Sequence, residues 1–208
     1  MNAVITIAYH GQGQAIFDMT LPYWVNHGLP VVVLTPWDDP IKSAFQTVYN
    51  GLSSVLGPKA RHRIVNNLAW FVASPFDYAI FTEADTICMA DQIDFQPGFH
   101  GIVHNNGDTR YLRPEYACAP WMLDKESAVK MLDVALNRPD VCERGSDDRF
   151  YSGLSFVAEV PMLDYDPIGY AENTITDAKL IPPGTEWIHG IKSKAVLQAV
   201  LDWLYGSV

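Results

Sequence analysis

The sequence predicts an α/β fold, a single sandwich in which a mostly parallel central sheet is flanked by helices. Three observations lead there. Short apolar runs alternate with amphipathic stretches along the chain, the pattern of strands covered by helices. One run, Tyr78 to Phe81, is brief and continuously apolar, as a strand buried on both faces must be. That run opens onto Glu83-Ala84-Asp85, so two carboxylates stand at a strand end, where open α/β sheets bind ligands.

The elements follow in order. Residues 3–9 read as a first strand; they lack the basic segment and small-residue cleavage site of a secretory leader. Over 15–26, Ile16, Met19 and Trp24 have helical spacing, with Pro22 expected to interrupt or bend the helix. A second strand is expected over 30–35, leading into an acidic turn, Asp38-Asp39, bracketed by Pro36 and Pro40. A helix is expected over 41–56, ending at Gly57-Pro58. The next helix, 59–74, places Ile64, Leu68, Phe71 and Val72 at helical intervals, with basic residues in its first turns. Strands over 78–82 and 101–104 come next. A helix over 124–136 carries Val129, Leu132 and Leu136, and Asp124 is placed to cap it. A helix over 146–158 has Asp147 and Asp148 in its first turn, and an amphipathic helix over 195–205 closes the chain.

At 208 residues, 49% hydrophobic and 18% charged, the chain is expected to form one globular domain over 1–208. No apolar run approaches the roughly 20 residues of a membrane span. Cys88, Cys118 and Cys142 are odd in number and widely spaced, which indicates neither a disulfide framework nor a zinc site, and a cytoplasmic location is expected. The net charge of −10 argues against polyanionic partners, although Lys59, Arg61, His62 and Arg63 cluster, as do Lys192 and Lys194.

Glu83 and Asp85 flank one small residue, so in extended geometry both side chains point the same way, an arrangement suited to Mg²⁺ or Mn²⁺ carrying a diphosphate. Turn formation or helix capping is the alternative use of such a pair. Asp147 and Asp148, in the first turn of a helix, are suited to capping, and a lone His189 to a structural role. The loop Tyr9-His10-Gly11-Gln12-Gly13 has Gly-x-Gly but neither the dinucleotide fingerprint nor a Walker lysine.

In combination these motifs resemble the GT-A glycosyltransferases, family-2-like, with a late His-Gly-x-Lys motif in His189-Gly190-Ile191-Lys192. Glu83-Ala84-Asp85 resembles their D-x-D motif with Glu in the first position. The resemblance implies metal binding by Asp85 and His189, with Glu83 on the metal, the ribose or the sugar. It implies nucleotide contacts from Ala8, Tyr9, Asp38 and Asp39. Diphosphate or pocket contacts are implied for Lys59, Arg63, Asn67 and Lys192, with the polar face of a core helix as the alternative for the first three. Asp147-Asp148 resembles the acidic pair of the acceptor region, with Asp148 as base. Tyr116 and Trp121 are implied as a sugar or acceptor platform, or as core.

The implied activity is transfer of a sugar from a nucleoside diphosphate sugar to a hydroxyl acceptor, dependent on Mn²⁺ or Mg²⁺. Inversion is implied, with retention open because the late motif also occurs in retaining families. Residues 1–100 would bind the nucleotide sugar and 101–208 the acceptor, whether a glycan, a protein or a modified nucleic-acid base. The alternatives are a sugar-phosphate nucleotidyltransferase, whose Gly-rich signature Gly11-Gln12-Gly13 does not supply, and a non-catalytic nucleotide- or glycan-binding module.

Overall fold

A computed structural model describes residues 2–8, 14–34, 59–90, 92–104, 115–138, 147–164, 170–172, 181, 183–191 and 193–206. The elements are β1 (Ala3–Ala8), α1 (Gln14–Val25), β2 (Val31–Leu34), α2 (Lys59–Ala73), β3 (Tyr78–Glu83), β4 (Ile87–Cys88) and β5 (Phe99–His104). They continue with β6 (Glu115–Asp124), α3 (Lys125–Asn137), α4 (Asp147–Val157), β7 (Met162–Asp164), β8 (Tyr170–Glu172), β9 (Trp187–His189) and α5 (Lys194–Gly206).

Among the described residues, six strands form the central sheet in the order β2-β1-β3-β6-β5-β7. The β1 pairings with β2 and β3 are parallel, as is β5 with β7, while β6 runs antiparallel to both of its neighbours. Five strands therefore point one way, which is the mostly parallel sheet expected. A second sheet, β4-β9-β8, has three short strands.

Strand β3 is central because its sequence permits burial on both faces. Ala79 and Phe81 face one core, with Val65, Leu68 and Phe71 of α2, Ala128, Met131 and Ala135 of α3, and Tyr151 and Leu154 of α4. Ile80 faces the other, with Phe17 and Trp24 of α1 and Trp187 of β9. A third cluster joins Ile16 of α1, Ile87, Ile188 and Val196, Leu197 and Val200 of α5. The layers are thus α2, α3 and α4, then the sheet, then α1, the small sheet and α5. Each large side chain buried this way contributes about 1.5–3 kcal/mol.

Helix α3 shows how sequence sets a boundary. Asp124 accepts at Oδ1 from the Ser127 backbone N–H (2.8 Å) and at Oδ2 from the Ser127 hydroxyl (3.0 Å), which caps the helix as expected. The same carboxylate accepts from the Gly98 N–H, tying the cap to the start of β5. Glu126 and Lys130 pair at 2.7 Å across one turn.

Several expectations need correction. Helix α1 passes through Pro22 without interruption; the proline is in the last turn, and the Asn26 N–H still reaches the Pro22 carbonyl (3.1 Å). Strand β5 starts at Phe99, two residues before the expected strand. Strand β6 was not anticipated, and it contains Pro120, a residue that disfavours a central strand. Its register with β5 shifts between Gly101 and Val103, opposite the stretch holding Pro120, so the proline sits at an irregularity of the ladder. The expected helix over 41–56 lies outside the described residues. No helix among them is long and apolar enough to cross a membrane.

Candidate metal centre

Because β1, β2 and β3 are parallel, their carboxyl ends share one edge of the sheet, with Ala8 in register with both Leu34 and Glu83. Strand β3 stops at Glu83, and the chain turns at once: the Thr86 N–H returns to the Glu83 carbonyl at 3.2 Å. This corrects the expectation that Glu83 and Asp85 share a face through strand alternation. Glu83 ends the strand and Asp85 sits in the turn, and it is the turn that swings Asp85 round towards Glu83.

The third member comes from far along the chain. After the turn, β4 pairs antiparallel with β9, with Ile87 opposite Ile188 and Cys88 opposite Trp187. His189 follows Ile188 and is carried back to the turn. Gly190 has φ +82°, a conformation that favours glycine, and there the Gly190 and Ile191 N–H groups both donate to the Asp85 carbonyl (3.1 and 3.3 Å).

The result is a compact cluster. His189 Nε2 lies 3.3 Å from Glu83 Oε2 and 3.8 Å from Asp85 Oδ1, and one ligand atom from each residue falls within 4.8 Å of the others. The side chains are 6% exposed for His189, 12% for Asp85 and 21% for Glu83, so the site is recessed yet open on the Glu83 side. Two adjacent ligands around a hard cation at about 2.1 Å stand roughly 3 Å apart, close to the separations here. Two carboxylates with one imidazole suit Mn²⁺, and Mg²⁺ if water completes the shell. With the His189 proton on Nδ1, Nε2 presents its lone pair to an ion. Cys88, on β4, falls outside this group of ligand atoms; burial pushes its thiol up to about 12, with the Ala90 backbone opposing and the Glu186 carboxylate reinforcing that shift.

The other anticipated residues are placed as follows. Helix α2 leads through residues 74–77 into the start of β3 and so runs back along the sheet, with its first residue, Lys59, towards the carboxyl edge. Arg63 lies in its second turn; the side chains of both are outside the described residues. Asn67 is 6% exposed, one turn before Phe71, which packs edge-on against Phe81 at 5.9 Å. That puts its amide on the face to which Glu83 belongs by alternation from Phe81. In α4, the Tyr151 ring packs tilted against Trp121 at 4.2 Å and lies near Phe81 and Phe99, and the helix then feeds β7, which starts beside Phe99. Its first two residues, Asp147 and Asp148, are therefore directed towards the carboxyl edge, though their side chains are outside the described residues.

Ala8 ends β1 at this edge, while Tyr9, Asp38, Asp39 and Lys192 lie outside the described residues. Trp121 is 3% exposed and belongs to the core, which removes it as a sugar platform; Tyr116 is in β6, with its side chain outside the described residues. Sequence reasoning missed two contributors, Thr20 and Trp24, whose polar atoms reach the turn: Thr20 Oγ1 to the Ala84 carbonyl at 2.6 Å and Trp24 Nε1 to the Thr86 carbonyl at 3.1 Å. In the sequence both read only as members of an amphipathic stretch.

No protein-family model matches this chain, and no curated protein matches it. Among solved structures it is similar to a glycosyltransferase involved in the glycosylation of the major capsid of PBCV-1, with TM-score 0.56 and 10% identity, covering 100% of each chain. It is also similar to the galactosyltransferase LgtC in complex with donor and acceptor sugar analogs, with TM-score 0.57 and 9% identity, covering 99% of this chain and 96% of that one. At such identities the likeness is one of architecture, and the fold of this chain is a GT-A-like α/β sandwich.

Proposed function

We propose that this protein is a metal-dependent glycosyltransferase that moves a sugar from a nucleoside diphosphate sugar to a hydroxyl acceptor. The observation that carries the reading is the convergence of Glu83, Asp85 and His189 at the carboxyl edge of a GT-A-like sheet. One structural neighbour, named a galactosyltransferase, was solved with donor and acceptor sugar analogs, which supports a two-substrate reading.

In the proposed arrangement Glu83, Asp85 and His189 hold Mn²⁺ or Mg²⁺. When bound, the ion supplies positive charge against the diphosphate as it departs. Ala8, Tyr9, Asp38 and Asp39 border the base and ribose. Lys59, Arg63 and Lys192 add positive charge near the diphosphate, and Asn67 supplies a buried amide to the pocket. The acceptor oxygen attacks the anomeric carbon, the bond from that carbon to the diphosphate oxygen breaks, and the acceptor proton passes to the Asp148 carboxylate. Asp147 orients its neighbour at the N-terminus of α4. Attack opposite the leaving group gives inversion.

A thermal-shift screen of UDP, GDP, CDP and dTDP sugars, with and without Mn²⁺, tests the donor half. A ligand that binds only the native state raises its apparent stability with affinity, about 2.7 kcal/mol at a hundred times Kd. One nucleotide class is expected to shift the melting temperature only when metal is present. A uniform absence of shift at millimolar metal and donor overturns the reading. Product NMR then reports the anomeric configuration, and a retained configuration removes Asp148 as base.

A further inference from the structure

We infer that Thr20 and Trp24 of α1 are positioning residues that hold the ligand-bearing turn in its metal-ready form. The inference rests on the metal reading above and adds what keeps the cluster assembled.

Consider the four carbonyls of the turn. That of Glu83 accepts from the Thr86 N–H (3.2 Å), and that of Asp85 from the Gly190 and Ile191 N–H groups (3.1 and 3.3 Å). The other two are bound by side chains of α1: Ala84 by the Thr20 hydroxyl (2.6 Å) and Thr86 by the Trp24 indole N–H (3.1 Å). Thr20 and Trp24 are one helical turn apart and therefore share a face, and both are 0% exposed. Trp24 is also packed at 6.1 Å against Trp187, two residues before His189. One helix thus touches both arms of the cluster.

The clamp has a physical task. Glu83 and Asp85 place like charges within 4.8 Å of each other, and their repulsion favours splaying whenever no cation lies between them. Splaying can proceed through the side-chain torsions or through the backbone of the turn, and the second route is the one the clamp closes. Thr20 fixes the carbonyl of the peptide before Asp85, Gly190 and Ile191 fix that of the peptide after it, and Trp24 fixes the next one on, so the aspartate sits in a run of three anchored peptides. Groups that orient metal ligands typically change affinity by 10–100-fold when removed.

The test is Mn²⁺ binding, followed by the electron paramagnetic resonance of the free ion, on wild type and five variants, with melting temperature measured in parallel. Thr20→Val removes the hydroxyl at nearly constant volume and is expected to weaken Mn²⁺ about tenfold, while Thr20→Ser restores wild-type affinity. Trp24→Phe is expected to weaken it several-fold and carries the test alone if Thr20→Val does not fold. Thr6→Val is the control: Thr6 is 1% exposed and donates to the Ile80 carbonyl (3.0 Å) within the sheet. It should lower the melting temperature and leave Mn²⁺ affinity unchanged. Wild-type affinity in folded Thr20→Val or, failing that, in Trp24→Phe overturns the positioning role, as does an equal loss in Thr6→Val. Asp85→Ala separates the two levels of the argument. If wild type binds no better than Asp85→Ala, the metal reading itself fails; if Asp85 matters and Thr20 and Trp24 do not, only the positioning claim falls.

Discussion

At the amino edge of the central sheet the chain closes its polar groups on one another, whereas at the carboxyl edge it spends backbone bonds to hold three ligands facing a common point. At the first edge, Asn2 accepts from the Asp77 and Tyr78 N–H groups (2.7 and 3.2 Å) and donates its amide to the Pro75 carbonyl (2.9 Å). The Lys125 ammonium donates to the Ser74 carbonyl and lies 5.5 Å from the centre of the Phe71 ring. Desolvation lowers the pKa of Lys125, against the raising influence of Asp77. Asp124 binds Ser127 and Gly98 together. At the second edge the hydrogen bonds fix carbonyls and leave carboxylates and imidazole to converge. Stability therefore resides at the amino edge, which knots elements together, and chemistry at the carboxyl edge, which presents groups.

The largest effects should fall at the carboxyl edge without loss of stability. Asp148→Asn is expected to reduce transfer by about 10²–10⁴-fold while the metal-dependent donor shift persists, as measured by initial rates beside thermal shift. Normal turnover would end the role of Asp148 as base. Asp85→Ala should remove the Mn²⁺-dependent donor shift, cutting transfer by at least about 10²-fold. Its melting temperature should change little without metal, because the backbone carbonyl of residue 85 keeps its partners Gly190 and Ile191.

The amino edge should respond in the opposite sense. Asp124→Ala deletes the cap of α3 and the bond to Gly98, an expected cost of about 1–2 kcal/mol, read as a fall of roughly 4 °C in melting temperature. Mn²⁺ affinity should stay at the wild-type value; a parallel loss would mean that the two edges are not separable.

The smallest effect concerns pH. The Cys88 thiol is raised by burial from its ordinary 9.0 to about 12, so the folded protein keeps a proton that the unfolded chain gives up between those values. Its contribution to stability is intact below about pH 9 and is lost as pH rises towards 12. Cys88→Ala should flatten that part of the stability profile, by at most one proton in the slope. Peptide mass spectrometry after alkylation at pH 8 should find Cys88 unmodified in native protein.

The two edges were not equally legible in the sequence. Glu83 and Asp85 could be read because they follow a short apolar run, and α2 because Leu68 and Phe71 recur at helical intervals and are buried; α3 forms where expected, but its core face is Ala128, Met131 and Ala135, and Val129 of the expected stripe is 46% exposed. Asp124 was legible as a cap for the same local reason. His189 was not readable from spacing: it is 106 residues from Glu83, and only the resemblance of its motif singled it out. Strands β4, β7, β8 and β9 have two or three residues each, too few for periodicity to register. Strand β6 was not anticipated, and it contains Pro120, whose tolerance depends on a register shift that only pairing reveals. Thr20 and Trp24 left no signal, because a hydroxyl or an indole N–H within an amphipathic helix does not announce which carbonyl it will meet.

The most direct measurement is anomalous diffraction from crystals soaked in Mn²⁺. The expected result is one ion bound jointly by Glu83, Asp85 and His189 at the carboxyl edge of β3. No ion there at millimolar metal, or an ion held at another place on the protein, would contradict it.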